Sequence, residues 1–299
     1  MTESAVDQQL DQVNHWVPVS PCGPGCVTAP MPTVGRPRMT LRLVRALGVL
    51  LAATVLAPLS ALLGSRAREA AVRWVFAALL RAFGARLEVH GDRTFGGPAG
   101  DGPHRGALVA LNHVSWLDIV AVNGVRPMPS VAKHEIRAWP VVGALASRAG
   151  TVFLDRGRLR VLPAAIGELS TALRAGSLVS AYPEGTTWCG RTTGRFRPAM
   201  FQAAIDGGVP VRPIALRYRL TDGSATSWPA FVGDETLIDS VCRTARLRGL
   251  VVELHILDEI APGRAAGRRE LAALTEARIR AVVEPAGRLP ELTDHAVAV

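Results

Sequence analysis

The sequence predicts an α/β fold: a mixed, largely parallel sheet flanked by helices, preceded by an N-terminal membrane-binding helical segment. Three observations carry this. Short β-branched runs alternate with helical stretches from about residue 86 onward, a run of twenty uncharged residues precedes them, and the opening stretch is rich in Pro, Gly, Gln and Ser/Thr without periodicity. The 299 residues then divide into a disordered tail (1–39), membrane-associated helices (40–85), one α/β domain (86–285) and a C-terminal tail (286–299).

The N-terminus is polar and acidic from Met1 to Asp11 and shows no early apolar core of a secretory signal. Residues 46–65 carry no charge, and at 1.5 Å per residue twenty residues match a hydrocarbon layer of roughly 30 Å. Arg36, Arg38, Arg42 and Arg45 precede this run, and Arg66, Arg68 and Arg73 follow it. Arginine on both sides gives the positive-inside rule nothing to discriminate, and Pro58 interrupts the helix, so both ends are expected on the cytoplasmic face. Residues 70–83 are apolar except for Arg73 and Arg81; with Trp74 they read as a helix lying among headgroups. The competing reading makes both segments buried core helices.

Beyond residue 86 the expected strands are 87–89, 107–111, 130–132, 151–154, 178–182, 211–218 and 251–256. Helical stretches are expected over 117–122, 138–149, 158–174, 198–206 and 268–283. In such a fold, chemistry concentrates in the loops after strand C-termini.

Composition narrows the partners. A hydrophobic share of 48% and a charged share of 20%, with mean hydropathy +0.22, exclude a generally disordered chain. Thirty-four basic residues against twenty-five acidic ones give a net charge of +9, and Lys133 is the single lysine. A surface this rich in guanidinium suits phosphate. Nucleic acid is disfavoured as the source, because aromatic residues make up only 5% and arginine gathers around the apolar run. Anionic membrane lipid fits that placement. The four cysteines, Cys22, Cys26, Cys189 and Cys242, are scattered and do not form a disulfide framework. Cys22-Gly-Pro-Gly-Cys26 is at most half a metal site; no second cysteine pair or histidine cluster completes it in the sequence, and no metal is expected.

Three loops hold chemistry-bearing residues. In Asn112-His113-Val114-Ser115-Trp116-Leu117-Asp118, after an apolar strand, a histidine can take a proton near neutrality and a carboxylate can fix its tautomer. Ser115-x-x-Asp118 before an apolar run is equally a helix-capping pattern, so both readings stand. Pro183-Glu184-Gly185-Thr186 is a strand-end turn that exposes amides and hydroxyls or simply reverses the chain. Gly150-Thr151-Val152-Phe153-Leu154-Asp155-Arg156 ends in a charged pair, where Arg156 is an anion clamp or half of a surface ion pair.

Taken in order, these stretches and Val209-Pro210-Val211-Arg212-Pro213-Ile214 resemble the four motifs of the lysophosphatidate acyltransferase family over residues 85–285. The resemblance implies that His113 is a general base and Asp118 its orienting partner, with no covalent acyl-enzyme. The absence of a G-x-S-x-G elbow agrees. It also implies that Arg156, Glu184, Gly185 and Thr186 bind the acceptor headgroup, while Lys133 is either a further cation of the site or a solvated surface residue. No cofactor is implied; acyl-CoA or acyl carrier protein is the co-substrate, membrane lipids are the partners, and the location is the cytoplasmic face of the cell membrane. The expected reaction converts 1-acyl-sn-glycerol-3-phosphate to phosphatidic acid. Thr187 departs from the pattern, standing where the family usually has arginine; Arg191, Arg195 or Arg197 would then supply the charge. A Thr-Thr pair after Glu-Gly also resembles acyltransferases of lyso-ornithine lipid, a phosphate-free acceptor. A non-enzymatic lipid-binding scaffold would keep the apolar run without needing His113 or Asp118.

Overall fold

Every residue of the strand ALVAL (Ala107–Leu111) is buried, with Val109 and Leu111 in one core and Leu108 and Ala110 in another. A strand apolar on both faces needs a helical layer on each side, and that requirement organises the molecule. The computed structural model describes residues 18–92, 95, 106–139, 142–148, 150–154 and 159–284. In chain order its main elements are α1 (Arg36–Leu56), α2 (Ser65–Ala82), β1 (Arg86–His90), β2 (Ala107–Leu111), α3 (Leu117–Val125), β3 (Val131–Lys133), α4 (Val142–Arg148) and β4 (Val152–Leu154). Then follow α5 (Leu162–Arg174), β5 (Leu178–Ala181), α6 (Ala199–Gly207), β6 (Val211–Leu220), α7 (Leu237–Arg246), β7 (Leu250–Ile256) and α8 (Arg268–Val283).

The main sheet has the order β1-β7-β6-β2-β5, parallel except for β6 against β7. A parallel pair β3-β4 continues it, tied to β5 by a bridge between Ser130 and Ser180 whose hydroxyls lie 2.7 Å apart. One face packs Leu80, Phe83, Leu117 and Ala121 of α2 and α3, with Ala245 of α7 beyond them. The other packs Leu169, Leu173, Phe201 and Ile279 from α5, α6 and α8. The mixed, largely parallel sheet is therefore as the alternating pattern predicts. Helix α7 is an addition that the pattern did not predict, started by a capping box between Thr236 and Asp239. The stretch expected to be helical over 138–149 is a 3-10 turn (His134–Ala138) followed by α4, and α5 begins at Leu162, after a 3-10 turn, where Pro163 favours a first turn.

Two N-terminal expectations are corrected. Residues 18–35 dock on the domain: Val34 N donates to Arg246 O (2.8 Å), Arg248 N to Pro32 O (2.8 Å), and Trp228 Nε1 to Ala29 O (2.8 Å). Val27 and Met31 pack on the core, and residues 36–39 open α1, so the disordered-tail reading fails from residue 18 onward. Proline and glycine suppress periodicity, but backbone edges and isolated apolar side chains still dock. The remaining tail residues, 1–17 and 285–299, lie outside the described residues.

The second correction concerns the uncharged run. Helix α1 starts ten residues before it, carries Arg36, Arg38, Arg42 and Arg45 in its first three turns, and ends at Leu56. A 3-10 turn at Pro58–Leu62 then leads into α2. Arg42 donates to Ala245 O (3.0 Å) and Leu247 O (2.7 Å), fixing the start of α1 on the C-terminal carbonyls of α7, while α2 leads through Leu79, Leu80 and Phe83 of the core into β1. The segment enters and leaves from the same domain. Although Arg36–Leu56 is by length and hydropathy (1.8) able to cross a membrane, its uncharged helical part spans only about 16 Å, half of a hydrocarbon core. It is a hairpin that can dip into a bilayer. The buried-core reading of α1 also fails, since only 11% of its apolar window is covered and Leu47, Leu51, Val55, Leu59 and Leu62 stand exposed.

Candidate active site

Strand β2 stops after Leu111 because the next side chain takes over its hydrogen bonding. Asn112 Nδ2 donates to Leu216 O (3.0 Å), and Leu216 N donates to Asn112 Oδ1 (2.8 Å), so the amide acts as one further rung against β6. The main chain is thereby free to turn at His113, and its new direction is held on both sides. His113 N donates to Glu184 Oε2 (2.5 Å), His113 O accepts from Trp188 N (2.8 Å), and Val114 O accepts from Phe231 N (2.9 Å).

Asp118 lies in the first turn of α3, its side chain fully buried. Its Oδ2 accepts from His113 Nδ1 (2.8 Å), Val114 N (2.7 Å) and Ser115 N (2.9 Å), and its Oδ1 accepts from Tyr218 OH (2.6 Å). Four donors compensate a carboxylate withdrawn from water. The orienting contact is present and the capping pattern is met only in part: the same oxygen collects the imidazole and the Val114 and Ser115 amides before α3, but the helix N-cap is Trp116, whose side chain makes no cap. With Nδ1–H held by Asp118, the lone pair of Nε2 is free to accept a proton, and the imidazole is 21% exposed. The ring of Tyr182 packs on it with centroids 4.2 Å apart. Burial, then the charge of Asp118, pushes the phenols of Tyr182 and Tyr218 well above their ordinary range, so Tyr218 stays a proton donor to the carboxylate.

The loop after β5 supports this turn from behind. Glu184 is 3% exposed, and besides His113 N it accepts Gly194 N on Oε1 (2.7 Å). Burial pushes its carboxyl up, and the two amides pull in the opposite direction. The structure gives Glu184 a positioning place behind the histidine, in correction of direct acceptor contact: both oxygens face backbone and almost none of it is exposed. Gly194 is required there, since a Cβ would sit 2.2 Å from Trp188 Nε1. Gly185 turns the chain at φ +79°, donating to Tyr182 O (3.1 Å), with Thr186 half-buried beside it. The Thr187 hydroxyl donates to Phe231 O, so this residue ties the loop to the segment that also holds Val114. Helix α8 braces the far side, with Glu276 Oε2 accepting from Phe196 N (2.6 Å) and Glu284 Oε1 from Thr193 N (2.9 Å). Arg191, Arg195 and Arg197 are exposed on the same loop.

The parallel register brings the C-terminal ends of β2, β5, β3 and β4 to one sheet edge, and so places His113, Glu184 and Lys133 along it. Lys133 is exposed and in register with Leu154; Arg156 lies outside the described residues. The fourth motif forms β6 beside β2, which then runs past the level of Leu111 to deliver Leu216 and Tyr218. Three of the four cysteines meet in space, in correction of the linear reading, while Cys242 stays apart. The sulfurs of Cys22, Cys26 and Cys189 all lie within 4.8 Å of one another.

Comparison with known proteins agrees with this geometry. Residues 86–217 match the family model described as Acyltransferase. The 1-acyl-sn-glycerol-3-phosphate acyltransferase of Neisseria gonorrhoeae is 37% identical over 188 residues, covering 63% of this chain and 73% of the relative. The chain belongs to the lysophosphatidate acyltransferase family. A lyso-ornithine lipid O-acyltransferase of Pseudomonas aeruginosa is also similar, 32% identical over 215 residues, covering 71% of this chain and 78% of that protein. Among solved structures, the fold is shared with the 1-acyl-sn-glycerophosphate acyltransferase PlsC of Thermotoga maritima. The TM-score is 0.55 at 21% identity, over 84% of this chain and 100% of that one. The protein is thus an O-acyltransferase acting on lysolipids.

Asn112 and Tyr218 were not singled out by sequence reasoning as parts of this acyltransferase site, nor were the braces Glu276 and Glu284. A signal for Tyr218 was present: the chain has only two tyrosines, and both meet the His113–Asp118 pair. Nothing comparable marks the two glutamates.

Proposed function

We propose that this chain transfers a fatty acyl group from an acyl-CoA or acyl carrier protein thioester to the free hydroxyl of 1-acyl-sn-glycerol-3-phosphate. The product is phosphatidic acid, formed at the cytoplasmic face of the cell membrane without a cofactor. The observation that carries the chemistry is the 2.8 Å contact between His113 Nδ1 and buried Asp118, which leaves Nε2 as the accepting nitrogen. As the acceptor oxygen attacks the thioester carbonyl carbon, Nε2 takes the hydroxyl proton and Asp118 stabilises the imidazolium. Collapse of the tetrahedral intermediate breaks the C–S bond, and the proton passes to the departing thiolate. Glu184, Asn112 and Tyr218 hold the imidazole in place throughout, which is how a positioned base gains effective concentration. Exposed Arg191, Arg195 and Arg197, on a loop pinned by Arg197 N to Pro183 O (2.9 Å), support a phosphate-bearing acceptor.

A specific observation favours a second acceptor. Thr187 engages Phe231 O and brings no guanidinium, and the Pseudomonas aeruginosa relative is named for lyso-ornithine lipid. The deciding experiment is an acceptor panel with purified enzyme. Lysophosphatidate should give the highest kcat/KM, and preference for lyso-ornithine lipid would transfer the assignment to the phosphate-free acceptor.

A further inference from the structure

The three cysteines that meet beside the acyltransferase loop have no part in acyl transfer, and their arrangement is that of a ligand set. Cys22 precedes a 3-10 turn (Pro24–Val27) and Cys26 lies within it, with Cys26 N donating to Gly23 O (3.0 Å), so two sulfurs come from one tight loop with the C-x3-C spacing common in zinc sites. The third sulfur comes from Cys189, 167 residues from Cys22, just after the Trp188 amide that holds His113 O. The backbone is turned toward the sulfurs. Cys189 N donates to Cys22 Sγ (3.2 Å), and the chain turns away after it at Gly190, φ +82°. Amides directed at sulfur stabilise thiolates, the form that binds metal.

Distances separate the alternatives. Sulfurs at about 2.3 Å from a tetrahedral ion stand about 3.8 Å apart, so sulfurs within 4.8 Å need to close by only about an ångström. A disulfide demands about 2.05 Å between two sulfurs and leaves the third unpaired. Cys189 is buried and the other two are partly buried among apolar side chains, so the set is shielded yet reachable.

We infer that Cys22, Cys26 and Cys189 bind one thiophilic divalent ion of the Zn2+ class, with solvent in the fourth position, clamping the N-terminal segment 18–35 to the loop behind His113. Binding releases the thiol protons to solvent and requires no redox partner. The fourth cysteine, Cys242, lies outside the cluster and provides an internal control.

The test uses full-length protein in detergent, purified under reducing conditions without chelator, with zinc measured by plasma mass spectrometry. About one equivalent per chain is expected, retained in Cys242→Ser and lost in Cys26→Ser and Cys189→Ser. Co2+ reconstitution should add a thiolate-to-metal charge-transfer band and tetrahedral d–d bands in wild type and Cys242→Ser alone. Because Cys189 is buried, Cys26→Ser is the deciding variant, with thermal melting confirming that it folds. Chelation should lower the melting temperature of wild type but leave that of Cys26→Ser unchanged. No zinc and no Co2+ spectrum in wild type, a disulfide between any two of the three, or stoichiometric zinc in Cys26→Ser would each overturn the site.

Discussion

The loop carrying His113 and the hairpin of α1 and α2 are both bounded by apolar chain, yet they solve opposite problems. Around His113, the Asp118 carboxylate has donors on both oxygens, Glu184 has an amide on each, and Asn112 completes a strand rung. Along the hairpin, Leu51, Val55, Leu59 and Leu62 are exposed at 53%, 73%, 57% and 83% among the described residues. The first region gains precision by satisfying buried polar groups internally; the second presents apolar surface whose natural solvent is lipid. Rate and location should therefore separate under mutation.

The largest separation is expected from His113→Ala. Loss of a positioned base should lower acyl transfer by about 10³-fold, while flotation with anionic vesicles is unchanged; parallel loss of both would break the comparison. The reverse change is Leu51→Asp with Val55→Asp. Removing two exposed apolar side chains, each contributing about 1.5–3 kcal/mol on burial, should reduce the vesicle-bound fraction by about 10²-fold. Turnover of a short-chain monomeric lysolipid should stay within about twofold, and a large fall in that turnover would show that the hairpin shapes the site itself. Tyr218→Phe is the finer probe. It removes one charge-assisted hydrogen bond to Asp118, worth about 1.5–3 kcal/mol, so kcat should fall roughly tenfold or somewhat more, with KM little changed. A shift confined to KM would place Tyr218 with the substrate.

The sheet was legible because β-branched runs and their spacing are local, and the pairing of His113 with Asp118 was legible because both lie in one short loop. Asp118 illustrates a limit: capping and orienting a histidine need the same residue at the same spacing, and only the three contacts on one oxygen, with Trp116 as an uncapped helix start, show how the two readings divide. Tyr218 depends on the β2–β6 register, which no local pattern encodes, and Cys189 depends on docking of a segment 167 residues away. That docking runs through backbone edges at Val34 and Arg248, which have no periodic signature, so the segment resembled a tail. Helix α7 is short and carries no continuous apolar run, yet Thr236-Leu237-Ile238-Asp239 holds a readable capping pattern. The hairpin was half legible: composition marked it as apolar, but only Arg42 on the carbonyls of Ala245 and Leu247 shows that the chain returns to the side it left.

The central claim is that Asp118 makes His113 a base on a domain held to membrane by a separate device. Its most direct test is steady-state kinetics of Asp118→Asn in vesicles, with folding checked by thermal melting and binding by flotation. An amide at this position sets the wrong tautomer and faces the Val114 and Ser115 amides with a donor. The account predicts a fall in kcat of about 10²-fold or more, up to about 10⁴, with KM and vesicle binding preserved. A folded Asp118→Asn enzyme that keeps near wild-type kcat would contradict it.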